Sequence, residues 1–222
     1  PLPDPPAPVA GTTLFRIDED GHVRGEFPLS AGRHVIGRGA LLNTIEDPWL
    51  EEEHALIDIT PDGCRIYDLK GPHGTFVGVR DSAVLRSEDR FRIGGALFAI
   101  ELSRADVEAR LPLEAAAATG IEMPAWGRLV RLGPDDVVLE ATRLVAYEVT
   151  IGRTVGDIRL PDDPFVSSPH AVLSPDGDQA VLRDVSSHGG CYVRIREPVV
   201  LRDGDRMVMG HQVFLMRQAR EP

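Results

Sequence analysis

The chain contains little cysteine and no long hydrophobic segment, and each shortage excludes a class of protein. Its 222 residues include only two cysteines, Cys64 and Cys191. This number supports neither a disulfide framework nor a cysteine metal site, and we expect no cofactor. No apolar run approaches the roughly 18–20 residues of a membrane span, and no signal peptide is visible. We therefore expect a soluble, cytoplasmic protein without a membrane partner. Because the chain begins at Pro1, we also expect it to be linked to further domains in a longer polypeptide.

Basic residues are also in short supply. The sequence has 24 lysines and arginines against 35 aspartates and glutamates, which gives a formal net charge of −11. General nucleic-acid binding depends on basic side chains that neutralise phosphates, so we expect no nucleic-acid partner. A single local anion pocket remains compatible with this charge. The first half of the chain is the more acidic and is the poorer place for such a pocket.

What the sequence does contain is an internal repeat of roughly ninety residues. Arg38 and Arg153 are 115 residues apart, whereas the matching pairs that follow them are 116 residues apart, so a single one-residue gap separates the two spacings. Those pairs are His54 and His170, Asp68 and Asp184, Gly74 and Gly190, Asp89 and Asp205, and Phe98 and Phe214. A period of this length is too long for a solenoid or propeller unit and indicates two domains of one fold.

The repeat predicts the domain boundaries. The two copies occupy residues 11–102 and 127–218, and residues 1–10 form a Pro-rich leader. Residues 103–126 are rich in alanine, glutamate, leucine and arginine, but Pro112 interrupts them. We expect a linker there with at most one short helix.

Both copies consist of short alternating runs that are separated by turn residues. Residues 55–59 alternate in hydrophobicity and end at Pro61-Asp62-Gly63, and the second copy repeats the pattern with Pro175-Asp176-Gly177. Many short strands separated by such turns indicate an all-β sandwich or barrel.

The residues that recur in both copies lie mostly at the ends of these predicted strands. They comprise Gly-Arg after an isoleucine, a histidine followed by alanine, and an aspartate six residues before a glycine. In the second copy they are Ile151-Gly152-Arg153, Ser167-Ser168-Pro169-His170-Ala171, and Asp184 to Val193. Together these motifs resemble the forkhead-associated (FHA) domain. The resemblance implies two eleven-stranded β-sandwiches whose loops at one end bind phosphothreonine peptides.

The resemblance implies a role for each matching residue of the second copy. Phosphate binding needs a guanidinium and hydroxyl or amide donors in a fixed array. The candidates for it are Arg153, Ser167, Ser168 and His188. Residues expected to contact the peptide are Ser187, Gly189, Gly190 and Arg194. His170 and Asp184 are expected to organise the loops. Gly189 replaces the asparagine that holds the peptide backbone in the family, and Cys191 replaces its threonine, so the peptide-clamping side is altered.

The first copy keeps the structural residues but loses the phosphate chemistry. Arg38 is present, but Glu51 replaces the serine and is followed by Glu52 and Glu53. Carboxylates beside a phosphate repel it, at a cost on the order of several kcal/mol. We expect Arg38 to pair with one of them and this copy to bind no phosphate.

These residues allow three other interpretations. Ser167, His170 and Asp184 suggest a hydrolase triad, but no Gly-x-Ser-x-Gly elbow is present, and we predict no catalytic residue. His188 and Cys191, with another histidine, fall short of a zinc site, so we predict no metal. The alternative that remains is a scaffold that binds proteins without regard to phosphate.

Overall fold

The computed structural model of the protein describes residues 11–18, 21–42, 45–103 and 124–218. These ranges contain nineteen β-strands and one turn of 3-10 helix at Pro134–Asp136, so the predicted all-β class is confirmed. The proposed leader and nearly all of the linker, with its possible short helix, lie outside the described residues. In the part of the chain that the structure describes, no helix is long and apolar enough to cross a membrane.

The strands are numbered in chain order. They are β1 (Thr12–Ile17), β2 (Val23–Leu29), β3 (Gly32–Ile36), β4 (Ala55–Thr60), β5 (Gly63–Asp68), β6 (Thr75–Gly78), β7 (Ser82–Leu85), β8 (Arg90–Ile93), β9 (Ala96–Leu102), β10 (Gly127–Leu132), β11 (Val138–Leu144), β12 (Val149–Gly152), β13 (Ile158–Arg159), β14 (Ala171–Asp176), β15 (Gln179–Asp184), β16 (Cys191–Arg194), β17 (Val199–Leu201), β18 (Arg206–Met209) and β19 (Gln212–Gln218).

The chain folds into two compact units, and their division differs from the two contiguous domains predicted above. One unit, called the first unit here, contains the described residues up to Gly78 together with those from Arg194 onward. The other, called the second unit, runs from Val79 to Val193. Strands β7–β9 of the first repeat therefore belong to the second unit, and β17–β19 of the second repeat belong to the first. The equivalent strands of the two repeats have similar burial patterns.

The second unit is a sandwich of two antiparallel layers, with β13 added in parallel at one edge. Its strands lie in the orders β11-β10-β9-β8-β16 and β13-β12-β14-β15-β7. Alternate residues face the core: Leu173 of β14 lies opposite Leu182 of β15, and both are fully buried. In the other layer Phe91 lies opposite Phe98, with their ring centroids 5.4 Å apart. Burial of each such side chain contributes about 1.5–3 kcal/mol to folding.

The first unit repeats this plan with nine strands among its described residues, where the second has ten and the resemblance implies eleven. Its strand orders are β6-β18-β19-β1-β2 and β17-β5-β4-β3. Buried Ile57 of β4 lies opposite buried Ile66 of β5, and the two strands meet in a tight hairpin in which Thr60 pairs with Gly63. This hairpin lies where the Pro-Asp-Gly signal predicts it. Its counterpart in the second unit turns at Gly177-Asp178, one to two residues beyond the centre of that signal.

Candidate functional site

Two loops of the second unit lie side by side because their backbones are joined directly. The first leaves β12 at Gly152, and the second enters β14 at Ala171. The amide N–H of Arg153 donates to the carbonyl of Ser167 at 2.9 Å, and that of His170 donates to Ile151 at 2.9 Å. Gly152 permits this packing, since an added Cβ would lie 2.3 Å from the carbonyl oxygen of Val155 in its own loop and 3.3 Å from the carbonyl oxygen of Ser167 in the other. The pairing fixes the backbones of Arg153 and Ser167 next to each other.

A buried histidine links these loops to a third one. Nδ1 of His170 accepts the amide N–H of Ser167 at 2.9 Å, so the proton of the neutral ring is on Nε2, which donates to the Gly190 carbonyl at 3.2 Å. Burial lowers the pKa of His170 below its ordinary value of 6.5 and favours the neutral ring. His54 does the same in the first unit, bonding the amide of Glu51 at 3.1 Å and the carbonyl of Gly74 at 2.9 Å.

The three loops bring a cluster of hydroxyl groups together. Oγ of Ser167 accepts the amide N–H of Ser187 at 3.2 Å and lies 3.3 Å from Oγ of Ser187. It also donates to the carbonyl of His188 at 3.4 Å, near the limit of a hydrogen bond. Oγ of Ser187 lies 2.9 Å from Nδ1 of His188. Ser167 is 6% exposed, whereas Ser187 and His188 are exposed. The cluster thus reaches from the protein interior to its surface.

Arg153 and Ser168 lie on the solvent side of the same loops. Both are exposed, and among the described residues the guanidinium of Arg153 contacts only the Pro164 carbonyl, at 3.5 Å from Nη1. Oγ of Ser168 accepts the amide N–H of Thr154 at 2.8 Å and lies 3.1 Å from Oγ1 of Thr154. The sequence does not indicate Thr154, which this contact joins to Ser168.

Glycines shape the third loop. Gly189 and Gly190 have φ values of 82° and 86°, in the left-handed region that glycine adopts most readily. A Cβ at Gly189 would lie 2.9 Å from the carbonyl oxygen of Phe165. Asp184 holds the ends of this loop, because its carboxylate accepts the amides of Ser186 at 2.9 Å and Cys191 at 2.8 Å.

The contacts of Arg194 are with loops of the first unit. Arg194 belongs to the first unit, where its guanidinium donates to the carbonyls of Gly71 at 2.8 Å and Pro72 at 3.4 Å. It also lies 3.6 Å from a carboxylate oxygen of Asp68. Its strand crosses from one unit to the other at this residue, which the assumption of contiguous domains does not anticipate. We therefore leave Arg194 out of the candidate site.

The equivalent loops of the first unit carry a different set of groups. The carboxylate of Glu51 is 2.8 Å from Nδ1 of His73, which stands at the position of Gly189. Arg38 donates through Nε to the carbonyl of Leu50, where the sequence suggested a carboxylate partner. Arg38, the three consecutive glutamates from Glu51 onward and Lys70 line one open concave surface. This surface carries more negative than positive charge.

The geometry does not assemble a hydrolase triad or a metal site. The ring of His170 bonds the amide of Ser167 and not its hydroxyl, and the carboxylate of Asp184 bonds two amides. Cys191 is fully buried, which raises the pKa of its thiol. Among the described residues, no group of three or more histidine, cysteine, aspartate or glutamate side chains is placed to hold a metal ion.

Comparison with known proteins identifies one family. The sequence model of the FHA domain matches residues 32–94 and 149–210, which together make up more than half of the chain. A solved structure from a structural and functional analysis of phosphothreonine-dependent FHA domain interactions is 12% identical in sequence. That similarity covers 96% of this chain and 100% of the other, with a TM-score of 0.36. No curated protein sequence matches the chain.

Proposed function

The chain belongs to the FHA domain family of phosphothreonine-binding modules, and we propose that its second unit binds threonine-phosphorylated peptides whereas its first does not. On this proposal the protein is an adaptor that recruits phosphorylated partners. The FHA domain is a binding module and not a catalytic one, and we assign no catalytic residue to this chain.

The observation that carries the proposal is the convergence of donor side chains at one end of the second unit. The guanidinium of Arg153 is exposed and has only a marginal contact, so it can turn to a ligand at little cost. The backbone bond to Ser167 keeps the backbone of Arg153 next to the residue that begins the hydroxyl cluster. A doubly charged phosphate can accept two parallel bonds from a guanidinium and further bonds from hydroxyl groups.

We assign the remaining roles by position within the cluster. Ser167 would offer its hydroxyl from the buried side of the cluster. Its 3.4 Å bond to the His188 carbonyl is long enough to be exchanged for a bond to a phosphate oxygen. Ser168 and His188 are exposed and would act as additional donors to the phosphate. Ser187 and the two glycines after His188 would face the peptide, and Gly189 offers backbone groups where the family has an asparagine amide. His170 and Asp184 would hold the loops through the bonds described above.

The first unit lacks this capacity for a physical reason. Glu51 occupies the place of the phosphate-binding serine, and its carboxylate is held there by His73. A phosphate that approached Arg38 would meet this carboxylate and two more on the same surface. Placing like charges side by side on this surface would disfavour the phosphate by several kcal/mol, on the order of the penalty for a wrong partner.

The rival proposal is a scaffold that binds its partner without regard to phosphate. It is favoured by Gly189 and Cys191, which replace the two residues that would hold a peptide backbone. The two proposals differ in one measurable quantity, the dependence of affinity on the phosphate group and on Arg153.

The test is a titration of the full chain with a phosphothreonine peptide library and its unphosphorylated counterpart. Arg153→Ala removes two charge-assisted bonds of about 1.5 kcal/mol each, which corresponds to a loss of affinity of roughly 100-fold. Arg38→Ala is the matched control and should leave affinity within about twofold of the wild type. Binding that ignores both the phosphate and Arg153 would leave only the scaffold proposal.

The other properties expected from the sequence remain predictions. They are a cytoplasmic setting, the absence of a nucleic-acid partner, and covalent linkage to further domains.

A further inference from the structure

We propose that the first repeat is a working part of the phosphopeptide-binding unit, because in each molecule its strands β7–β9 complete the sandwich that holds the site. The inference rests on the proposed function only in naming the site. The assignment of the strands stands on the fold itself, and it applies within a single chain.

Strands of the first repeat belong to both layers of the second unit. Strand β7 pairs with β15, where Val84 lies opposite Val181. Strand β8 pairs with β16, where Ile93 lies opposite Cys191. The loop of residues 185–190, which carries Ser187 and His188, connects β15 to β16. Both ends of this loop are therefore held by strands of the first repeat.

Two further backbone bonds fasten the ends of that loop. The amide N–H of Asp184 donates to the carbonyl of Asp81 at 2.9 Å, just before the loop begins. The amide N–H of Val79 donates to the carbonyl of Cys191 at 2.8 Å, just after it ends. The segment 79–81 thus spans the base of the loop.

A carboxylate makes the same connection for the serine loop. Asp163 accepts the amide N–H of Gly95 at 2.7 Å and that of Phe165 at 3.0 Å. Gly95 lies in the turn between β8 and β9, and Phe165 is two residues before Ser167. A Cβ at Gly94 would lie 2.5 Å from the Asp163 carboxylate, so the turn closely fits this loop. The first repeat therefore positions two of the three loops of the candidate site.

The second repeat makes the reciprocal contribution to the first unit. Strand β17 pairs with β5, where Val200 lies opposite Arg65. Val200 is the repeat equivalent of Val84, and both are exposed, at 49% and 56%. If each repeat kept its own strands, Val181 would lie opposite Val200 and Arg65 would lie opposite Val84. The two arrangements thus predict different neighbours for the same four residues.

Cysteine cross-linking in the full chain distinguishes the arrangements. Four double variants are compared under mild oxidation at low protein concentration, by non-reducing electrophoresis and mass spectrometry of the digested chain. The two native cysteines are 1% and 0% exposed and are present in all four. Val84→Cys with Val181→Cys, and Arg65→Cys with Val200→Cys, should cross-link most of the monomeric chain. Val181→Cys with Val200→Cys, and Arg65→Cys with Val84→Cys, should stay near background.

The reverse pattern would overturn the proposal, and so would cross-linked dimers in place of cross-linked monomers. Failure of the Val84–Val181 pair while the Arg65–Val200 pair forms would overturn it as well. The oxidised Val84–Val181 chain is then titrated with phosphothreonine peptide. Affinity within about twofold of the reduced chain is expected. Loss of binding on oxidation would show that the arrangement with β7 paired to β15 is not the one that binds the peptide. Absence of binding in both chains would refute the phosphopeptide proposal but leave the strand assignment intact.

Discussion

Replacement of Asp47 by alanine should destabilise the first unit strongly, and the equivalent Asp163→Ala should destabilise the second unit less. The carboxylate of Asp47 is 4% exposed and accepts the amides of Trp49 at 2.9 Å and His211 at 2.8 Å. It also accepts Nε2 of Gln212 at 2.9 Å and lies 3.1 Å from Nδ1 of His211. Asp163 is only half-buried and accepts two amides.

The expected magnitudes follow from the number of these bonds. A hydrogen bond to a charged group contributes about 1.5–3 kcal/mol, and the contributions within one cluster are less than additive. For Asp47, with four bonds in a buried position, we expect a loss of about 3–4 kcal/mol in the free energy of unfolding. For Asp163, whose donors can reach water after the substitution, we expect about 1–2 kcal/mol.

The two units can be followed separately because each contains one tryptophan. Trp49 lies in the first unit and Trp126 in the second. Fluorotryptophan labelling gives one fluorine NMR resonance for each unit in the intact chain, and each is followed during urea unfolding. With a dependence on urea of about 1–3 kcal/mol per molar, Asp47→Ala should lower the midpoint of the Trp49 resonance by roughly 1–4 M.

Equal midpoint shifts for the two variants, or a larger shift for Asp163→Ala, would refute this reasoning. The pH dependence provides a second check. Burial alone would raise the pKa of Asp47, but the bonds from Gln212, His211 and Trp49 lower it below its ordinary value of 3.8. Its contribution is therefore present above pH 3.8 and is lost only as the pH falls through the lower folded-state pKa. The difference between the wild type and Asp47→Ala should persist at pH 5.

Three further predictions concern the glycine, histidine and cysteine residues of the fold. Gly152→Ala places a Cβ 2.3 Å from a backbone oxygen and should cost about 2–3 kcal/mol, measured on the Trp126 resonance in urea; an unchanged midpoint would contradict it. Burial lowers the pKa of both His54 and His170 below 6.5, so the unfolded chain takes up protons first and stability should fall as the pH drops below about 6.5. Urea midpoints at pH 7.5 and 5.5 check this, and a rise on acidification would be inconsistent with it. Burial raises the pKa of Cys64 to about 11 and that of Cys191 further, so a thiol reagent at pH 8 should label neither in the folded chain and both in urea. Rapid labelling without denaturant would show that the thiols are accessible.

The sequence predicts the sandwich because its signals are local. Alternation of hydrophobic residues defines the strands, and the repeated Gly-Arg and histidine motifs mark the ends at which the loops gather. The pairing of the strands depends on residues that are far apart in the sequence. Phe91 of β8 and Met207 of β18 are equivalent buried residues, so hydrophobicity cannot show which copy completes which sandwich.

The same limit explains why the sequence does not indicate some of the contacts near the loops. Arg194 follows the second-copy motif directly, but the chain crosses between the units there and the side chain bonds loops of the first unit. Its repeat equivalent is Gly78, which offers no comparable polar side chain. The sequence does not indicate Thr154 because its contact is with the hydroxyl of Ser168, on another loop. It does not indicate His73 because the partner of this residue, Glu51, is 22 residues away.

The two units share one loop frame although they carry different side chains at the serine position of the phosphate motif. The amide of Arg38 donates to the carbonyl of Glu51 at 2.9 Å, as that of Arg153 does to Ser167 at the same distance. The histidine of each copy then bonds the amide of the same residue. All these bonds use the backbone of the position that carries either serine or glutamate, so its side chain makes no contribution to them. Substitution there changes the charge presented to a ligand while the loop frame remains, and the same frame can therefore support a phosphate-binding site in one unit and a phosphate-excluding surface in the other.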